Sequence, residues 1–497
     1  MRKVLSLVMA AAVISGLAVG CSKPTSTDSG KTAEKTVTAP KEIGTPDKPV
    51  KVSIILKDVS PKEEDTKKLV AEIEKGLAAE KKYIDLEYLE APTGAYKDSV
   101  PLAVRTGQIS PDIIYFQGGD QPLANDGLLE DLTPYINSST NVKNLMEDHN
   151  KVKMKNYPYL LWLSAPRVST PVIRKDITDK LSSYKDLIAD PTPDNYYKFF
   201  KEIKDKGLAK YPITADGDII RLDSVFNSAF GVTSTIMKVD GKWVFSKATD
   251  FEKNKLEYYA KLYKDGLLDK EYITKKWDTM EKAFYQGDAA FIAGTAGKTI
   301  DIYNNKMTQT KGKDAELVVL PPAKGVAQAY LSVDVTKESR GFAINAKSTA
   351  KDAAWAVLEF MAGPVGRNLD LLGIQDSNYK VSGDKIVFTD KFSEWWPRFW
   401  DTTNKFDPKP ALEKPVMTAP ALASLDMAKK YYKQDTNIII PAELLPQWDA
   451  MNALYKEYAT DIIRGVKPIS AFNEFVTKWN AAGGTEFTPY LEKTLGK

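Results

Sequence analysis

The chain has 497 residues, with 69 lysines and arginines against 66 aspartates and glutamates, a net charge of +3, one cysteine and one histidine. Nearly balanced charge with no basic stripe interleaved with aromatics argues against a nucleic-acid partner. A single cysteine excludes a disulfide framework or a cysteine-based metal cluster, and His149 has no nucleophile motif near it for serine–histidine catalysis.

Residues 1–20 read as an export signal. Arg2 and Lys3 form its positive end, residues 4–14 its apolar core, and small residues precede Cys21. The segment is too short for a membrane-spanning helix. Cys21 sits where a bacterial lipoprotein carries its lipid, although Ala18 stands where leucine is usual. Two acyl chains there are enough for stable anchoring, which predicts a lipid-anchored protein on the outer face of a bacterial cell membrane. A secreted signal with an incidental cysteine is the alternative. Residues 21–49 lack aromatics and are rich in Ser, Thr, Lys and Pro, so a disordered tether is expected there.

From residue 50 strand and helix patterns alternate, the signature of a parallel sheet with helices on its faces. VKVSIIL at 50–56 is a first strand with an exit loop at 57–60. Leu69, Ile73 and Leu77 mark the buried stripe of a helix over 63–82, IDLEYL at 84–89 is a second strand, and 96–106 a helix. The apolar run Ile113, Ile114, Tyr115, Phe116 reads as a strand buried on both faces. It ends at Gly118-Gly119, delivering Asp120 and Gln121 to a loop at the strand's carboxyl end, where open α/β sheets bind ligands. Pro122 then opens a short helix, and Leu128, Leu129 and Leu132 return to the core.

Residues 157–176 hold Trp162 and Arg167 on either side of a bend; an arginine in a cleft grips a carboxylate bidentately, and an internal ion pair or a surface position is the alternative. A helix over 192–207 turns Phe199, Phe200 and Ile203 inward. Trp277 opens another helix as an aromatic platform or core, and Phe284, Gly287, Ala289, Ala290 and Phe291 lead to a small-residue loop holding Thr295. A strand at 341–346 and a helix at 351–363 follow, then Gly373-Ile374 and Tyr379. Glu394–Trp400, EWWPRFW, packs three tryptophans and a phenylalanine: platforms for sugar faces, or core, since Trp396 and Trp400 are four apart. Residues 443–495 read as helical.

In order and spacing these segments resemble the family 1 extracellular solute-binding proteins of ABC importers, most nearly the LipO-like lipoproteins, across the chain beyond the tether. The resemblance implies an α/β, two-lobe periplasmic-binding-protein-like fold (type 2), each lobe a mixed, mostly parallel sheet flanked by helices. Residues 50–165 with 341–385 would form the amino-terminal lobe, and 166–340 with 386–497 the carboxyl-terminal lobe. It implies a monomeric receptor that captures an oligosaccharide between its lobes and delivers it to an ABC permease, with no enzymatic activity and no cofactor. Phe116, Asp120 and Gln121 would touch sugar from the first strand–loop unit, Thr295 from the later loop, with Trp162, Arg167, Trp277, Tyr379 and Trp396 around them. Many LipO-like relatives carry a calcium loop; here only Pro212-Ile213-Thr214 of it remains, and Asp216 and Asp218 are too few ligands, so no metal is expected. A surface glycosidase or lyase is the rival reading, because carboxylate-pair hydrolysis needs no histidine.

Overall fold

The structure, a computed structural model, describes residues 42–496 apart from 218, 332–339, 401–405, 437 and 439. The expected signal, Cys21 and most of the expected tether thus lie outside the described residues. Residues 42–49 of that tether are part of the fold. Ile43 bridges to Lys82, and Tyr83 donates its backbone N–H to the Ile43 carbonyl at 2.7 Å.

Eight strands build two four-stranded sheets: β1 (Val50–Ile55), β2 (Ile84–Tyr88), β3 (Ile113–Gln117), β4 (Ser169–Arg174), β5 (Tyr211–Ile213), β6 (Ala289–Thr295), β7 (Leu317–Val319) and β8 (Arg340–Ile344). The first sheet runs β8-β3-β1-β2 and the second β5-β6-β4-β7. In the first, β1 pairs parallel with both β2 and β3, and β8 closes the edge antiparallel. Because side chains alternate along a strand, β3 feeds two cores. Ile113 and Tyr115 join the cluster under helix Glu64–Ala79, where Leu69, Ile73 and Leu77 are fully buried. Ile114 and Phe116 join the cluster on the other face. Each such side chain contributes about 1.5–3 kcal/mol on burial.

The second sheet departs from the expected mostly parallel pattern. Only β5–β6 is parallel, while β4 runs antiparallel to both β6 and β7. The reason lies in how the chain arrives. Leu161 still bridges to Phe342 of β8, and eight residues later Ser169 pairs with Thr295 of the second sheet. The chain therefore crosses from one sheet to the other between these points, and β8 brings it back. Gly341 lies where the outgoing and returning segments touch. Its φ is +146°, and a Cβ there would stand 2.5 Å from the Leu161 carbonyl oxygen, so a side chain would force the two segments apart.

The aromatic run at 394–400 is not helical. A 3₁₀ turn ends at Glu394, and the next residues pack on the first sheet although the sequence assigned them to the second lobe. Trp395, Phe399 and Trp400 are buried there against Phe342 and Trp162. Trp396 alone of the three tryptophans points outward.

His149, on helix Asp148–Asn156, ties that helix to the outgoing crossing segment. Its Nε2 lies 2.9 Å from the Ser164 carbonyl oxygen and 3.1 Å from the Asn150 side-chain nitrogen. Glu147 stands 3.9 Å from Nδ1, too far for a hydrogen bond. Burial pushes the imidazole down to about 4. A histidine depressed in the folded state is protonated first in the unfolded chain, so its contribution is intact above the unfolded value of about 6.5 and is lost as pH falls toward 4. Denaturant unfolding at pH 7 and pH 5 should show a loss of about 2 kcal/mol, reduced in His149→Gln. An equal loss in the variant would assign the effect to carboxylates instead.

Candidate functional site

Between the two sheets lies a cavity of about 1130 Å³. Its first wall is built from the carboxyl ends of β1 and β3, which deliver Lys57 and Gln117, and from Lys97 on helix Tyr96–Arg105. The crossing segments supply Ala165–Arg167 and Arg340 along its floor. The second wall comes from Thr295 at the end of β6, Arg221 on helix Ile220–Phe226, and two helices, Trp277–Gln286 and Lys298–Lys311.

Local structure explains why these side chains converge. β6 ends in Thr295-Ala296-Gly297, and Gly297 at φ +83° turns the chain into the next helix. Its N–H donates to Ser424 Oγ at 2.8 Å, and an added Cβ would come within 3.1 Å of Leu425 Cδ2. The turn thus sets the mouth of the cleft and places Lys298 with its ammonium 5.7 Å from the Trp396 ring centroid. Trp277 and Trp396 are 59% and 52% exposed, unusually open for indole rings, and both line the cavity. Glu281 also lines it and accepts from Tyr303 Oη at 2.6 Å; burial raises its carboxyl above the usual range.

Of the nine side chains singled out from the sequence, Arg167, Trp277, Thr295 and Trp396 line this cavity together. The other five do not. Phe116 is fully buried on the far face of β3, and Asp120, also fully buried, accepts from Tyr157 Oη at 2.7 Å. Asp120 is thus an internal partner rather than an open acceptor. Gln121 is a half-buried residue at the start of helix Gln121–Asn125 and faces elsewhere. Trp162 stacks in the first core against Phe342, Tyr115 and Trp400, and Tyr379 is buried in a separate small cluster. Strand alternation turns Phe116 and its neighbour Gln117 to opposite faces, and it is Gln117 that reaches the cleft; alternation by itself does not say which of the two does.

The residues missed by sequence reasoning are chiefly cations. Ten of the cavity-lining residues are lysine or arginine and two are aspartate or glutamate. Beneath them, burial pushes the Lys153 ammonium down to about 8, with Asp120 opposing and Arg167 adding to the shift, and Lys153 donates to the Arg340 carbonyl at 3.0 Å. These residues come from widely separated segments, and no motif marks them. Among the described residues no group of three or more His, Cys, Asp or Glu is placed to hold a metal ion, and Asp218 lies outside them. No described helix is long and apolar enough to cross a membrane.

A family model described as bacterial extracellular solute-binding protein matches residues 60–368. No curated protein matches the chain. Among solved structures the chain is similar to an alginate-binding protein, at 17% identity and a TM-score of 0.64, covering 90% of this chain and 98% of that one. It is likewise similar to an HMO-binding, ABC-transporter-associated solute-binding protein from Bifidobacterium longum infantis, at 15% identity, a TM-score of 0.64, and the same 90% and 98% coverage. A third similar structure is an N-glycan transport solute-binding protein from Streptococcus pneumoniae, at 16% identity, a TM-score of 0.63, and coverage of 88% and 96%.

Proposed function

Because the chain belongs to the bacterial extracellular solute-binding protein family, proteins that bind solutes rather than transform them, we propose that it is an oligosaccharide receptor serving an ABC importer. The observation that carries this reading is the cleft itself: two exposed indole rings, Trp277 and Trp396, beside a dense set of polar side chains. Rings of this kind stack on the apolar faces of pyranoses, while flanking polar groups bond the hydroxyls at the edges. The structural relatives described for alginate, HMO and N-glycans support the same ligand class. The lobes divide near residues 165 and 340, with 395–400 assigned to the first lobe, and they close on the sugar by hinge motion about the crossing segments. Lipidation of Cys21 would hold the receptor at the membrane beside its permease.

Calorimetric titration against a panel of oligosaccharides tests this. Saturable one-to-one binding with no release of reducing ends is the expected result; failure of every saccharide to bind, or sustained hydrolysis, sinks the reading. Trp277→Ala and Trp396→Ala should each lose roughly 1–3 kcal/mol of sugar affinity while stability stays within about 0.5 kcal/mol, since both rings are largely exposed in the free protein. A stability loss with affinity intact would return the ring to a structural role.

A further inference from the structure

We propose that the oligosaccharide held in this cleft is anionic, carrying carboxylate or sulfate groups; the inference rests on the receptor reading and names its ligand class. Over the whole chain cations and anions are nearly equal, 69 to 66, yet around the cavity they stand at ten to two. The excess is therefore local to the cleft and is not a property of the composition.

Part of this charge is spent internally. Lys275 pairs with Asp269, Lys298 with Asp301 at 3.2 Å, Arg221 with Asp216 at 3.6 Å, and Lys57 with Asp58 at 3.1 Å. Lys97, Lys276, Lys306 and Arg340 form no ion pair among the described residues. They stand on both sides: Lys97 and Arg340 belong to the first sheet's elements, Lys276 and Lys306 to the second's. The Arg340 Nε is buried and has no hydrogen-bond partner among the described residues, a state that buried polar groups rarely keep. A ligand oxygen would relieve it.

Hydrogen-bond chemistry points the same way. Lysine and arginine donate and never accept, whereas sugar hydroxyls need acceptors as well as donors. A wall of ten donor-only side chains is poorly matched to a neutral glycan and well matched to one rich in acceptor oxygens. A concave site lined by one sign of charge also concentrates the field and speeds capture of an oppositely charged ligand. Trp277 and Trp396 then supply the stacking that distinguishes a saccharide from a simple polyanion.

The test is titration of the full-length protein with tri- to pentasaccharides of galacturonate and mannuronate, sulfated chondroitin oligosaccharides, methyl-esterified uronates, neutral xylo- and manno-oligosaccharides, and a tetraglutamate peptide. An acidic glycan should bind at least about tenfold more tightly than its ester or any neutral glycan, and lose about tenfold in affinity between low and high salt. Sulfated chondroitin carries carboxylates as well, so titrating its desulfated form alongside separates the sulfate contribution from that of carboxylate. Lys97→Gln and Lys276→Gln, both on exposed side chains, should each weaken the acidic glycan about three- to tenfold, and Lys313→Gln, outside the cleft, should not. Neutral or esterified glycans binding as tightly as acidic ones would overturn the inference and leave the receptor reading standing. Binding of the peptide alone, or of nothing in the panel, would overturn both.

Discussion

Asp370→Ala is expected to cost about 3–5 kcal/mol of unfolding free energy and to weaken sugar binding as well. The Asp370 carboxylate is buried and accepts three consecutive backbone N–H groups, from Arg398 at 2.7 Å, Phe399 at 2.9 Å and Trp400 at 2.8 Å. Its own carbonyl takes the Trp395 indole N–H at 2.8 Å, and Arg367 stands 3.7 Å from the carboxylate. Burial pushes this carboxyl above its ordinary value, while Arg367 and the three N–H groups favour its ionised form. Alanine would strand three buried donors and remove a carboxylate from beside a buried guanidinium. Each stranded group carries a penalty of about 1–3 kcal/mol, partly recovered by relaxation. The functional consequence follows from position: the segment pinned by Asp370 is the one that presents Trp396 to the cleft. Urea unfolding and sugar titration of the same variant check both effects. A stability change under about 1 kcal/mol would show that Trp395, Phe399 and Trp400 hold the segment by packing alone.

Lys255→Ala should cost a similar amount, about 3–5 kcal/mol, without touching the cleft. Lys255 is 1% exposed, with its ammonium 2.9 Å from Asp223, 3.0 Å from Glu252 and 2.7 Å from the Asn227 side-chain oxygen. Tyr455 Oη donates to Glu252, and Tyr259 Oη to Asp223 at 2.9 Å. The cluster therefore joins helix Asp250–Lys264 to helices Ile220–Phe226 and Leu445–Ile463 inside the second core. Burial by itself would lower the Lys255 ammonium, and Asp223 with Glu252 more than reverses that; burial raises the Glu252 carboxyl. Removing the cation leaves two carboxylates with no compensating charge in an apolar setting. The double variant Lys255→Met, Glu252→Gln should recover part of the loss, because it removes charges of both signs together. Denaturation midpoints of the single and double variants decide the matter. A double variant less stable than Lys255→Ala would mean that the charges contribute net stability.

What the sequence determined by itself is the order of elements and the family they compose. The first sheet's strands and the helix between β1 and β2 follow from local periodicity: Leu69, Ile73 and Leu77 at helical spacing, IDLEY alternating on β2, and an unbroken apolar run on β3. These are short-range signals, and the structure places those elements within a residue or a few of the sequence reading. Trp277, Thr295 and Arg167, singled out from the sequence, line the cavity; Trp277 opens a helix and Thr295 ends a strand, and strand ends are where open sheets form clefts.

Tertiary structure alone decided which aromatic faces the cleft and which faces core. Trp395, Trp396 and Trp400 are equivalent by composition; the grip of Asp370 on three backbone N–H groups buries two and turns the third outward. Phe116 and Gln117 are adjacent, and only the position of β3 between β1 and β8 says which reaches the mouth. The antiparallel run of β4 follows from its arrival across the cleft, not from its residues. The cleft's charge is the clearest case. The cations at 97, 276, 306 and 340, which form no ion pair among the described residues, lie too far apart in the chain for any local pattern to join them, and they become one electrostatic surface only when two sheets fold against a shared pair of crossing segments.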